Sequence, residues 1–353
     1  MSNELSPNAA GPFDRRVSRR TVLKQTVGTL GLLGLGGLSG RPVAHAAVKA
    51  TKARLGHGMA VTHPLHRMTL KFAELVTERS RGRLDVGIFP GSQLGGAVEM
   101  AEGVRLGTIE FTPSGNAWIE GIAPMTGVVN LPGLFRDNDH AYKAMYGFVG
   151  KDVYEKNLLP LGVRPLGWVS NEFRHVTNNK RQVKTLADMK GLKIRVPNSK
   201  VFADTVRAMG GSPVPVDWAE VFGALQQGVV DGQENPFMNI YSAKLYEVQK
   251  HLALTAHMWD VYNFLMNEKF FQGLDADLQK IVLEAGREAC DFGWNEVKKD
   301  NADYLAKLRR AGMQVTELDR NEVQAAVKPT WKTYEDRTGA AGRDLIQRIL
   351  DLK

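Results

Sequence analysis

The sequence predicts an α/β fold in two domains, and three observations carry that expectation. Segments with strand spacing alternate with segments of helical spacing, the pattern that builds α/β layers. The length, 353 residues, is enough for two domains with their own cores. Residues 274–308 read as one helix, with Leu278, Ile281, Val282, Ala285, Ala289 and Phe292 on its apolar face. A helix of that length suits an element that spans both lobes.

Along the chain, residues 52–59 begin as a strand and open into a Gly/His loop. Pro64 sits early in a helix whose stripe is Leu65, Met68, Phe72, Leu75 and Val76. Residues 84–89 alternate as a strand closed by Pro90 and Gly91. Residues 93–106 read as a helix stopped by Gly107, and 108–112 as the next strand. An apolar loop is expected over 130–135, a helix over 141–157, strands from 161 to 169 and a short helix over 184–189.

Residues 192–236 are the most informative. Leu192, Ile194 and Val196 alternate with Lys193 and Arg195 as a strand ended by Pro197. Asn198 or Ser199 caps a helix carrying Val201, Phe202, Thr205, Val206 and Met209, which stops at Gly210 and Gly211. Asp217 and Glu220 have capping-box spacing for another helix ending near Gly228. Val229 and Val230 read as a buried strand delivering Asp231, Gln233, Glu234 and Asn235 to its carboxyl end. Ligands of open α/β sheets bind outside the carboxyl ends of strands, so Arg195 and Asn235 belong to one site.

The first 46 residues read as a removable leader. Ser18, Arg19 and Arg20 open a twin-arginine pattern, with Val22 where phenylalanine is usual. A glycine-rich apolar stretch follows, too short for a confident membrane span, and then Ala44-His45-Ala46 offers a small-x-small cleavage site. The leader holds six Lys/Arg and two Asp/Glu, so it takes four of the eight net positive charges with it and leaves +4. No basic block is interleaved with aromatics, which argues against nucleic-acid binding. The single cysteine, Cys290, rules out an intramolecular disulfide or a thiolate-rich metal site and reads as a small buried side chain. His57, His63 and His66 invite a metal test. No Asp or Glu lies among them and Pro64 disturbs the first turn, so a solvated loop and helix start is expected, with no metal or cofactor.

The run KIRVP, GGSPVPV, EVFGALQQGVVDGQENP and KLYEVQKHLALTAH resembles the solute-binding proteins of tripartite ATP-independent periplasmic (TRAP) transporters, the DctP-like family. GHGMAVTHPLHRMTLKFAE, GRLDVGIFPGSQLGG and FRHVTNNKRQVKTLADMKGLKIRVP extend the resemblance over nearly the whole mature chain. It implies a two-lobed periplasmic binding protein of type II-like form, with domain I near 47–170 and 260–295 and domain II near 171–259 and 296–353. It also implies a monomer, a small organic anion as ligand, and the small and large permease subunits as partners.

By the same resemblance Arg195 matches the arginine that holds the substrate carboxylate, a role its planar fork of donors suits. Arg174 matches a second ligand-facing arginine, with one extra residue before Arg195 than in some relatives and His175 as the alternate occupant. Asn235 matches the asparagine of an E-N-P turn and Trp218 an aromatic that lines the ligand, with Asn198 one turn beyond Arg195 as a neighbour. On domain I, Pro113-Ser114-Gly115-Asn116 replaces the aromatic–acid pattern of sialic acid binders, and Gly58 stands where some relatives place an asparagine. Ser114, Asn116 and Trp118 are left as contacts there, with Gln93 and His57 as further candidates and a ligand smaller than sialic acid. Trp118, Trp168 and Trp218 suit a flat ligand or serve as core.

Two other classes fit the same bulk features. An exported enzyme on a small organic acid would fit a twin-arginine leader, but no HExxH, GxSxG or P-loop is present. The binding protein of an ATP-driven importer shares the two-lobe logic.

Overall fold

The computed structural model describes residues 50–353. The expected leader and the cleavage point after Ala46 lie outside the described residues. Eleven strands are found among the described residues: β1 Thr51–Gly56, β2 Leu84–Phe89, β3 Phe111–Gly115, β4 Val163–Phe173, β5 His175–Asn178, β6 Lys193–Val196, β7 Ser212–Pro215, β8 Gly232–Asn235, β9 His251–Leu254, β10 Trp259–Asn267 and β11 Gln314–Glu317. They form two sheets, β2-β1-β3-β10-β4 in the first lobe and β11-β9-β5-β8-β6-β7 in the second. In the first, β1 runs parallel to β2 and β3, while β10 is antiparallel to β3 and β4. In the second, β6 runs parallel to both β7 and β8, so their carboxyl ends face one way.

The chain crosses between the sheets twice in adjacent segments. One crossing is Arg174, between β4 and β5; the other is the run from β9 to β10. They are laced together, since the Arg174 N–H donates to the Met258 carbonyl at 2.9 Å. Glu172 (φ 69°) and Ala256 (φ 41°), one beside each crossing, hold left-handed backbone that non-glycine residues rarely adopt.

The 35-residue helix Ala276–Arg310 is the third tie. Glycines let its first half lie close on the first sheet: a Cβ on Gly286 would sit 2.9 Å from the Leu166 Cβ, and Gly293 packs on Met68 and Val169. Its second half brings Tyr304 to Tyr241 of the second lobe, ring centroids 5.7 Å apart. The helix therefore spans both lobes, as its length predicts. Cys290 is buried on this helix, and burial pushes its thiol far up, so it is inert packing.

Several sequence expectations shift. The helix expected from 93 begins at Ala97, because the Gly95–Gly96 pair precedes it and the Gly96 N–H is taken by the Glu99 carboxylate. The strand expected at 108–112 is Phe111–Gly115. Val229 and Val230 do not form a strand: Val229 is 55% exposed, and pairing starts at Gly232, whose missing side chain lets β5 approach. The helix expected over 141–157 breaks at Gly147 into Asn138–Ala144 and a wider turn. Trp331, Tyr334, Leu345, Ile346 and Ile349 of the last helix, Trp331–Leu350, pack with Val128, Leu131 and Phe135. That helix therefore rests on the first lobe, whereas the expected boundary put all of 296–353 in the second. Only sequence-distant packing decides this. No helix among the described residues is long and apolar enough to cross a membrane.

Candidate functional site

A cavity of about 710 Å³ lies between the lobes, where the strand ends meet. The second lobe supplies Arg195 from β6, Asn235 from the end of β8, and Pro215 to Trp218 from the end of β7 and the turn after it. The first lobe supplies Thr112 to Trp118 from the end of β3 and the helix it feeds, with Asn171, Asp260 and Tyr262 from the strands that lead to the crossings. Adjacent parallel strands β6 and β8 thus bring Arg195 and Asn235 together, as the sequence predicts.

Arg195 is 3% exposed and carries no ion pair. Nε and Nη2 donate to the Val216 carbonyl at 2.9 and 2.7 Å, which fixes the guanidinium and leaves the Nη1 donors uncommitted among the described residues. Burial, the largest influence, pulls its pKa down to about 10; Glu234 pushes it back up and Arg174 adds to the fall. It stays charged at neutral pH. A buried cation facing a cavity without a counter-ion is costly unless an anion arrives. Trp218 lies beside it, with the guanidinium carbon 6.0 Å from the ring centroid.

Arg174 is also 3% exposed but fully neutralised. Nε pairs with Glu234 Oε2 at 2.5 Å, Nη1 with Asp260 Oδ2 at 2.8 Å, and Nη2 donates to the Glu234 carbonyl and to Asn235 Oδ1. Burial opposes its charge, yet Glu234 and Asp260 outweigh that and raise its pKa. Burial likewise pushes Glu234 up, but Arg174 and His257 hold it below the usual carboxylate range. Arg174 therefore joins the second lobe, through Glu234, to the first, through Asp260. It lines the cavity as a strut at the crossing more than as a free clamp.

The other expected residues separate clearly. Trp218, Asn198, Ser114 and Trp118 line the cavity, and Asn198 is exposed there. Asn116 lines it too, but its amide is spent internally: Nδ2 donates to Thr126 O and Asn130 Oδ1, and Oδ1 accepts from the Tyr154 hydroxyl at 2.6 Å. Asn235 gives Nδ2 to Gln233 and accepts from Arg174 and Asn239, so one amide N–H remains. Gln93 is exposed on the turn before the helix and lies outside the cavity lining, because that helix starts four residues later than its sequence suggests.

His57 also lies outside the lining. It is wholly buried, with Nε2 3.0 Å from His66 Nδ1, and its pKa is lowered to about 3 by burial and then by His66. His63 is buried as well; its Nδ1 caps the helix Pro64–Ser80 and its Nε2 meets Asn239 Oδ1 at 2.8 Å. The expected solvated loop is thus a packed one. Among the described residues no group of three or more His, Cys, Asp or Glu could hold a metal. Trp168 is core, 7% exposed against Tyr146 and Tyr154, and does not line the cavity.

Sequence reading missed Asp260, Asn171, Asn239, Tyr262 and Phe202. Asn171 and Asp260 meet across 89 positions, and no local motif signals such a pair. Three contacts close the cleft: Trp218 Nε1 donates to the Gly58 carbonyl at 3.3 Å, Ser199 Oγ to Glu120 Oε2 at 2.7 Å, and His63 meets Asn239. At Gly58 an added Cβ would stand 3.0 Å from the Trp218 ring, so glycine is what lets this aromatic seat.

Two α/β lobes joined by laced crossings, with a fixed and unpaired cation in the cleft between them, define a solute receptor. The chain belongs to the bacterial extracellular solute-binding proteins, family 7 (DctP), matching over residues 55–337. It is 34% identical over 305 residues to the 2,3-diketo-L-gulonate-binding periplasmic protein YiaO of Escherichia coli K12, covering 86% of this chain and 93% of that one. Two similar solved structures are TRAP periplasmic solute-binding proteins. The one from Polaromonas sp. JS666, bound to D-erythronate, has a TM-score of 0.82 and 34% identity over 86% of this chain and 99% of its own. The one from Sulfurospirillum deleyianum, with bound succinate, has a TM-score of 0.81 and 30% identity over 86% and 99%.

Proposed function

We propose that this protein is an exported receptor that takes a small organic carboxylate into the cleft and passes it, unaltered, to the small and large membrane subunits of a TRAP transporter. The observation that carries this reading is the buried Arg195 guanidinium, held by one carbonyl and paired with no carboxylate. The ligand's carboxylate supplies the missing charge, with Asn235 and Asn198 beside it. Each charge-assisted hydrogen bond to Arg195 contributes roughly 1.5–3 kcal/mol, and the two lobes close because the ligand touches both. Relatives that bind D-erythronate and succinate support the carboxylate class. Export by a twin-arginine leader and action as a monomer complete the reading.

A thermal-shift panel of organic acids tests it. A carboxylate well above its dissociation constant raises the melting temperature by mass action, and the shift disappears in Arg195→Gln. A solute recovered chemically changed would place the protein among enzymes instead.

A further inference from the structure

We infer that the solute is a monoanion: one carboxylate on a bulky apolar body. Dicarboxylates and polyhydroxylated sugar acids are not its solutes. This inference rests on the carboxylate-receptor reading of the same cleft.

Charge is the first ground. Arg174 and Arg195 are the only cationic side chains among the described residues that line the cavity. Arg174 is already balanced by two carboxylates, Glu234 and Asp260, so that trio carries one net negative charge. Asp217 and Glu220 add two more carboxylates to the lining. Arg195 can meet one carboxylate, and a second would find no cation and three negative groups. Like charges at close range in a partly desolvated cleft are strongly unfavourable.

The apolar lining is the second ground. From the first lobe it presents Met59, Leu65, Val98, Met100, Trp118 and Ile122. Its polar side chains are largely committed inward. Thr112 Oγ1 donates to the Gly56 carbonyl at 2.8 Å, and the Asn116 amide is spent as described. Asp260 accepts from Asn130, Asn171, Arg174 and its neighbour's N–H. A sugar acid laid against this wall would leave several hydroxyls without partners, each a desolvation cost.

Calorimetry on the purified wild-type protein tests this with 3-phenylpropionate, 4-methylpentanoate, succinate and galactonate, each repeated on Arg195→Gln. Expected is binding of the two apolar acids at least tenfold tighter than succinate or galactonate. Succinate or galactonate binding as tightly, and lost in Arg195→Gln, would overturn the solute class while leaving the carboxylate receptor standing. Failure of all four acids to bind, or binding indifferent to Arg195→Gln, would overturn both readings.

Discussion

Arg174 and Arg195 are both buried to the same degree, on neighbouring parts of one cleft, and they do opposite things. Arg174 sits at a crossing between lobes with a carboxylate from each lobe on its guanidinium. Arg195 sits at a strand end with a single backbone carbonyl. The difference teaches how to read a buried cation. Where the fold supplies the counter-charge, the residue holds the fold; where it does not, the site waits for a counter-charge from outside. Residue type and burial alone cannot tell the two apart, and only the partners do.

The comparison breaks first at Arg174. Removing one member of a buried ion pair costs about 3–5 kcal/mol, since the partners stay buried and unpaired. Arg174→Ala should therefore lower the melting temperature by roughly 6–20 °C, at about 2–4 °C per kcal/mol for a chain of this size, as calorimetric scans of the free protein would show. A drop of a degree or two would mean that the trio is not what ties the lobes. Arg195→Gln should do the reverse. Affinity for the solute falls about 100-fold, roughly 2.7 kcal/mol, while the melting temperature of the ligand-free protein holds or rises because an unpaired buried charge is gone. Loss of stability without loss of affinity would swap the roles assigned to the two arginines.

His175, next to Arg174, sharpens the contrast through pH. Burial, followed by the neighbouring His257, lowers its pKa to about 3, and its ring stacks on Phe237 at 4.2 Å. It is neutral in the fold but protonates near 6.5 when unfolded, so the unfolded chain binds more protons between these values. Its contribution is complete above pH 6.5 and is lost as pH falls toward 3, about 2 kcal/mol between pH 6.5 and 5. His57 and His63, also lowered, add to the same acid slope. Denaturation at pH 6.5 and 5 should show stability falling, and His175→Gln should remove about 2 kcal/mol of that fall; an unchanged slope would mean that the ring takes up a proton within the fold. The smallest effect belongs to Gly58→Ala. Its Cβ meets Trp218 at 3.0 Å, so closure is hindered and affinity should weaken only a few-fold by titration.

How far the sequence revealed the site follows from how local each part is. Arg195 and Asn235 were legible because one stretch of 45 residues contains both strand ends and the helices between them. The long helix was legible from its apolar periodicity. Arg174 was found as a residue but not as a strut, since its partners lie 60 and 86 positions away. The burial of His57 and His63 arises from packing against Asn239 and His66 and leaves no mark in composition. Gln93 was misplaced because helical spacing runs on through Gly95 and Gly96, where the backbone turns instead. The resemblance put 296–353 in the second lobe, whereas the last helix packs on Val128, Leu131 and Phe135 of the first, contacts too distant in sequence to leave a local pattern.

The most direct measurement is a two-by-two titration: a bound acid and its primary amide, each against wild type and Arg195→Gln. A charge pair formed between ligand and Arg195 gives strong coupling. The acid should lose about 100-fold in the variant, and the amide, weak from the start, should lose almost nothing. Acid and amide weakened by the same factor would contradict the pairing, and Arg195 would then be a structural residue like its neighbour.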